Sequence, residues 1–455
     1  MSNMSRRTFI KNSSMATAGV MLSGVAPSFA LPNTRAETPN IRINAQGRSL
    51  VCIMLDGGND SFNMLVPTSQ AAYDEYKNSR SNLALSKEQL LALNDFTDDK
   101  GRTFGLHPSM SEVQQLFHDK KLAFVANIGA LVEPVTKETF KNGSAKLPLG
   151  LLSHADQFKH WQSARPDLRI NQGWFGYFAD VLQANRPDTQ IPMNISLAGS
   201  NILQNGANST HYSINEKGSV GLVVNEEKNA LNDALLNSFE GLLNVDYSDD
   251  PFKSTYLSIT RESQAQHEVF RKAVDQVVVP VEFSDTPLSQ QLKMVAKTIK
   301  AANDLNLPQQ TFFVRYIGWD HHDELLNNHA NMLRILSQAM GEFQQTIEAL
   351  GVADKVATFT GSDFGRTLTS NGNGTDHGWG GNCMLMTNAL GDNGGQIFGE
   401  YPSLSLGDAN PLDVGDGVLI PTQPLEYLYS VLAVWFGVYP EDLPELFPNM
   451  PKFGL

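Results

Sequence analysis

Four places in the chain set Asp or His beside Gly at the end or start of an apolar run. Asp56-Gly57-Gly58-Asn59-Asp60 follows Leu50–Leu55, and Gly318-Trp319-Asp320-His321-His322-Asp323 follows Thr311–Tyr316. Gly361-Ser362-Asp363-Phe364-Gly365-Arg366 follows Val356–Phe359, and Thr375-Asp376-His377-Gly378 precedes Cys383–Met386. Carboxylate oxygens and imidazole nitrogens together suit a divalent ion such as zinc, manganese or calcium. Glycine at these points permits tight turns and close backbone approach. Each piece alone has a plainer use: Asp and Asn after a strand make turns by bonding their own backbone. His321-His322 could simply open a helix, and His329 could face solvent. The tripeptide Asp363-Phe364-Gly365 occurs in protein kinases, but the other kinase signatures are missing, so that match is chance. Joint occurrence at several strand ends points to a shared metal or anion site.

The elements that must hold these residues are legible. Six short apolar runs read as buried strands: 50–55, 122–126, 193–197, 311–316, 356–359 and 383–386. They are near-continuous rather than alternating, as in a sheet covered on both faces. Helical patterns run from about 251 to 277, 287 to 305 and 323 to 350. Strands alternating with helices predict an α/β fold with a mainly parallel central sheet flanked by helices. In such sheets ligands bind beyond the carboxyl ends of the strands. Residues 129–152 and 198–250 read as excursions, the second a possible cap insertion with a helix near 231–243. No repeat or convincing linker is evident, so residues 31–455 are expected to form one large domain.

Composition narrows the class. With 455 residues, 41% hydrophobic and 18% charged, the chain can bury a sizeable core. A net charge of -14 supplies no Lys/Arg footprint for nucleic acid. Two cysteines build neither a disulfide framework nor a Cys-based zinc site. Cys52 and Cys383 lie in apolar runs, where buried free thiols are the usual reading; a bond between them would have to form after export. Residues 1–30 carry Arg6-Arg7, a Lys and a short apolar run ending at Ser28-Phe29-Ala30. That pattern reads as a removable export signal, not a membrane span, and the paired arginines point to the twin-arginine machinery. A periplasmic or secreted location follows, with no stable membrane span.

Longer motifs sharpen the reading. Leu55-Asp-Gly-Gly-Asn-Asp-Ser-Phe-Asn-Met-Leu-Val-Pro67 resembles the opening of the uncharacterised family called DUF1501. So do Leu106-His-Pro108, Ser153-His154, Gly318-Trp-Asp-His-His322, Ser362-Asp-Phe-Gly-Arg366 and Thr375-Asp-His-Gly378, in the family's order over roughly residues 48–390. That family is similar to the alkaline phosphatase and sulfatase superfamily, which implies a metal-dependent hydrolase fold. By that resemblance Asp56 is the first metal ligand, with Asp60 competing; Asp320 and His322 (or His321) follow, then Asp363 and His377. Ser153 resembles the nucleophile, ahead of a helix N-terminus that would favour an anionic ester.

The sequence also departs from the superfamily. Phe364 stands where the superfamily's Asp-His pair has His, and Asp320 and His322 are two apart where four is usual. Ser153-His154-Ala155-Asp156 also fits a plain helix cap. The expected chemistry is hydrolysis of a phosphate or sulfate ester on a small molecule or glycan, with Arg366 neutralising substrate oxygens bidentately. His107 and His154 are candidate proton donors or supporting groups; His107, before Pro108, reads better as a packed turn residue. The competing expectation is a non-catalytic binding protein on a degenerate hydrolase scaffold.

Overall fold

The computed structural model describes residues 38–184, 191–219, 229–245 and 249–455; the export segment 1–30 lies outside them. All six apolar runs are strands. Ser49–Asp56 (β1) and Leu122–Gly129 (β2) come first, then Asn194–Ser196 (β3) and Gln310–Ile317 (β4). Val356–Ser362 (β5) and Gly381–Met386 (β6) complete the set. Among the described residues they order as β2-β6-β5-β1-β4-β3 in a sheet of 10 strands, with short strands at both ends.

The middle of the sheet is parallel: β1 pairs with β5 and β4, and β4 with β3. Only β6 among the six runs antiparallel, between β5 and β2. Every residue of β2 and β6 is buried, as is β1 up to Leu55. Covering on both faces therefore explains why these strands lack alternation.

Helices cover the faces. His154–Ser163 (α1), Ala230–Leu243 (α2) and Pro251–Val274 (α3) precede Pro287–Lys300 (α4) and Leu325–Ala349 (α5). The helix α4 is entered through Thr286, whose side chain accepts from the Ser289 N–H, and Pro287 at the first turn. Helix α5 buries Met332, Leu333, Leu336, Met340, Phe343 and Ile347, a 3.6-residue stripe against the core. Inside the 198–250 stretch, Tyr212–Asn215 pairs with β3 and extends the sheet, while α2 buries only Leu243. The described residues fall within one unit, Ala36–Leu455. Among them no helix is long and apolar enough to cross a membrane.

Cys52 and Cys383 are buried free thiols. Strand β5 separates them, since Cys52 is opposite Phe359 and Phe359 is opposite Leu385.

Candidate metal centre

The carboxyl ends of β1, β4 and β5 bring three loops together, and the start of α1 meets them. Gly57, at φ +122°, lets the end of β1 touch the backbone of Trp319 and Asp320: a Cβ there would lie 2.5 Å from the Asp320 nitrogen. Gly374 packs against the backbone of His321 and His322, so the loop between β5 and β6 locks onto the loop after β4. Asn371 adds hydrogen bonds to the His322 carbonyl (3.2 Å) and to Asp376 Oδ1 (3.1 Å).

Three imidazoles converge there. His154 Nε2 lies 3.0 Å from His377 Nε2, and His322 Nε2 lies 3.1 Å from the same atom. The Asp320 carboxylate stands 3.0 Å from His322 Nε2 and 3.5 Å from the Nε2 atoms of His154 and His377. Ligating atoms of His154, Asp320 and His377 all fall within 4.8 Å of one another, close enough to share one ion.

The outer nitrogens fix the tautomers. His377 Nδ1 donates to the Leu152 carbonyl at 2.8 Å, His154 Nδ1 to Asp363 Oδ2 at 2.7 Å and His322 Nδ1 to Asp376 Oδ1 at 3.1 Å. A carbonyl can only accept, and carboxylates do so when ionised, so each ring turns an Nε2 lone pair inward. Lone pairs 3 Å apart repel unless a cation or proton stands between them. Histidine ligands backed by a carboxylate or carbonyl are the usual support of a bound metal. Two imidazoles and one carboxylate mutually in reach, His154, His377 and Asp320, with His322 beside them, make a donor set of the kind zinc takes. Leu152 adopts φ +69° to present its carbonyl, a backbone cost accepted at this site.

Electrostatics follow the same contacts. Hydrogen bonding to Asp363 raises the His154 pKa, against the effect of burial. Burial lowers that of His377. Burial raises Asp363, the His154 hydrogen bond opposes this, and the nearby Asp56 charge adds to the rise. Burial, the largest single influence, would raise Asp320, but the hydrogen bond and charge of Arg366 together with the charges of His322 and His154 hold the carboxyl below its usual range.

The structure therefore redistributes the residues expected from sequence. Asp320, His322 and His377 meet in the cluster. His154, expected as a proton donor or support, joins them as a fourth donor. Asp363 stands behind His154, with Oδ2 also taking the Gly57 N–H and Oδ1 buried without a partner among the described residues. Asp56 is ion-paired with Arg315. Asp60 is enclosed against Arg80, both side chains at most 1% exposed, so its charge is already matched inside the protein.

Arg366 does not face a substrate. Its side chain is wholly enclosed, and its donors go to Asp320 Oδ1 (2.7 Å), the Gly57 carbonyl (3.3 Å), Thr375 Oγ1 (3.2 Å) and the Thr375 carbonyl. It positions Asp320 instead. Ser153 occupies the N-cap position of α1 but makes no capping hydrogen bond with its side chain.

His321 turns the other way and is buried with Trp319, His329 and, beyond it, His107. His329, expected to face solvent, is 1% exposed and bonds Asn59 Oδ1 at 2.9 Å. Asp376, Arg315 and the Leu152 carbonyl were not singled out from sequence. Asp376 adjoins His377 in a quoted motif; the other two carried no signal.

Comparison with known proteins gives one firm result. The family model described as "Protein of unknown function (DUF1501)" matches residues 47–416. No curated relative matches the sequence. Among solved structures, the chain is similar to the C-terminal periplasmic domain of EcEptC from Escherichia coli in complex with Zn. That match has 12% identity, covers 89% of this chain and 87% of that one, and has a TM-score of 0.38. It is also similar to the soluble domain of lipooligosaccharide phosphoethanolamine transferase A from Neisseria meningitidis. There the identity is 9%, coverage 90% and 95%, and TM-score 0.36. At these TM-scores neither likeness carries weight for the chemistry.

Proposed function

The chain belongs to the DUF1501 family, and from its own site we propose that it is a metal-dependent hydrolase of phosphate or sulfate esters, exported through the twin-arginine machinery to the periplasm or beyond. The observation that carries this reading is the convergence of three Nε2 lone pairs on the Asp320 carboxylate, each ring backed by an acceptor. His154, His322, His377 and Asp320 would hold the ion. When bound, a divalent ion there supplies Lewis acidity toward an ester oxygen or a water.

The protein's own groups do the rest. Asp363, Asp376 and the Leu152 carbonyl hold the three rings in one tautomer. Arg366 fixes Asp320 and keeps it ionised. Ser153, at the start of α1 and one residue before His154, is free of capping duty and is the proposed nucleophile. The N-terminus of α1 favours the anionic group of an incoming small-molecule or glycan ester.

Metal content per chain, measured on natively exported protein without chelator, tests the proposal. About one equivalent of zinc, manganese or calcium is expected, lost in His154→Ala and His377→Ala together with turnover of aryl phosphate or sulfate esters. Protein that holds no metal, and gains no stability from added ions, would end it.

A second reading has one observation in its favour. Phe364, which has no ligating atom, packs on both His154 and His377, with ring centroids 4.8 and 4.6 Å away. A binding protein on this scaffold would keep the metal and ligand affinity but release no product.

A further inference from the structure

Helix α3 is longer than the surface it rests on. Its 24 residues span about 36 Å. The C-terminal end is seated: Phe270, Ala273 and Val274 are buried, and the Phe270 ring meets Tyr212 with centroids 5.6 Å apart. Phe252 lies on the same face as Phe270, five turns of 3.6 residues earlier. Yet Phe252 is 87% exposed, and Tyr256 and Ile259, at i+4 and i+7 from it, are 70% and 61% exposed. The face that meets the core at one end of the helix is thus apolar and bare at the other.

Helix α2 repeats the pattern. It buries only Leu243, while Leu231, Leu235 and Leu242, at i, i+4 and i+11, form an exposed stripe. Neither stripe contains a charged residue. Single exposed apolar side chains are ordinary, but six in two stripes on consecutive helices mark an interaction surface. Together they expose roughly 700 Å², close to the ~800 Å² that each partner gives to a standard protein interface. Phe and Tyr are also enriched in the cores of such interfaces.

Charge decides among the occupants. Helix α2 carries Asp233 and Glu240 with no Lys or Arg, whereas Pro251–Arg261, the first half of α3, carries Lys253 and Arg261 with no acid. An anionic lipid surface wants basic residues beside both stripes, and α2 has none. A second copy of the chain supplies both halves at once, because in an isologous contact α2 of each copy can meet α3 of the other. Apolar stripes then face one another and helices of unlike charge adjoin. Setting α2 on α2, or α3 on α3, would instead bring like charges together. We propose that the α2 and α3 stripes form an isologous dimer interface, α2 of each copy packing on α3 of the other.

Sedimentation equilibrium on the natively exported chain reads the association directly. The parent chain is expected to be dimeric at about 10 μM, within the range that interfaces of this size support. Phe252→Glu Tyr256→Glu should raise the dissociation constant roughly a hundredfold, and Leu235→Glu should weaken it in the same direction. Ser254→Glu, exposed on the far side of α3 from Phe252, should leave it unchanged. All the substituted side chains are exposed, so the unfolding temperature of dilute monomer should stay put. A mixture of Leu235→Glu and Tyr256→Lys chains should dimerise again, since the new Glu and Lys share one contact and the other contact is unaltered.

A parent chain still monomeric at about 100 μM overturns the proposal, and flotation of that monomer with phosphatidylglycerol vesicles would give the stripes to a membrane instead. A dimer that survives Phe252→Glu Tyr256→Glu overturns the interface. A mixture that stays monomeric overturns the pairing of α2 with α3.

Discussion

Asp60 and Asp56 compete as metal ligands on sequence, and the structure separates them in a way that stability can test. Asp60 is 1% exposed and meets Arg80, whose side chain is fully enclosed. The rest of the Arg80 guanidinium is spent on Asn63 Oδ1 (3.2 Å) and the carbonyls of Thr367 (2.9 Å) and Leu368 (3.2 Å). Substituting Asp60→Asn keeps the shape and one acceptor oxygen but strands a buried cation. Breaking a buried pair by removing one partner costs about 3–5 kcal/mol, and the retained acceptors place this case near the lower end, about 3 kcal/mol. Urea denaturation should show a lower midpoint at unchanged slope, so that stability rather than compactness has changed. The double variant Asp60→Leu Arg80→Met should recover part of the loss, because no orphan charge remains.

Metal content is the second readout. Asp60→Asn saturated with zinc should hold as much metal as the parent chain, whereas Asp320→Asn should not. Loss of metal from Asp60→Asn at unchanged stability would refute the argument and make Asp60 a ligand. Equal stability of the single variant and the parent would refute the energetic half alone.

Other consequences follow from buried titratable groups and thiols. Glu426 is fully buried, and desolvation raises its pKa to about 8 against an ordinary 4.5. Folded protein then binds a proton that the unfolded chain has released, so this contribution is intact below the unfolded pKa and is lost as pH rises to about 8. The loss between pH 5 and 8 is about 3–4 kcal/mol, and Glu426→Gln should remove that slope in denaturation curves.

His107 behaves oppositely: burial lowers it to about 4 from 6.5, so stability is full above the unfolded pKa and falls with acid. About 3 kcal/mol should go by pH 4, and His107→Asn should flatten that limb. Burial pushes both cysteine pKa values up, so neither thiol should react with a disulfide reagent until the chain unfolds. Two thiols per chain should then alkylate without reductant; a mass 2 Da lower, with none alkylated, would show a bond.

The scaffold was readable because burial on both sheet faces leaves a local mark. Runs such as Leu50–Leu55 and Cys383–Met386 are continuous apolar strings bounded by polar residues, and each became a strand. The antiparallel direction of β6 was not readable. Nothing in Gly381–Met386 records which way its neighbours run, since Thr358 opposite Met386 is a pairing of distant segments. Likewise Tyr212–Asn215, with mixed exposure and among Asn, Ser and Gly, gave no strand pattern, because it lies towards the sheet's edge.

At the site, the division between ligands and supports was hidden for a similar reason. Asp320, His322 and His377 advertise themselves as short polar residues at strand ends. His154 does not: it begins a helix, where His is ordinary, and becomes a donor only because the Leu152 carbonyl takes His377 Nδ1 while Asp363 takes His154 Nδ1. Those two contacts join residues 225 and 209 positions apart in the chain. Asp363 shows the converse. Its place after a strand suggests a ligand, yet a carboxylate holding Nδ1–H of a histidine makes that ring a better ligand than two loosely placed groups would be. Phe364 sharpens the point, since a histidine there would compete for the same face of His154 that the phenyl ring now covers. The substitution that looks like a lost ligand in sequence coincides, in space, with an imidazole brought into the cluster from α1.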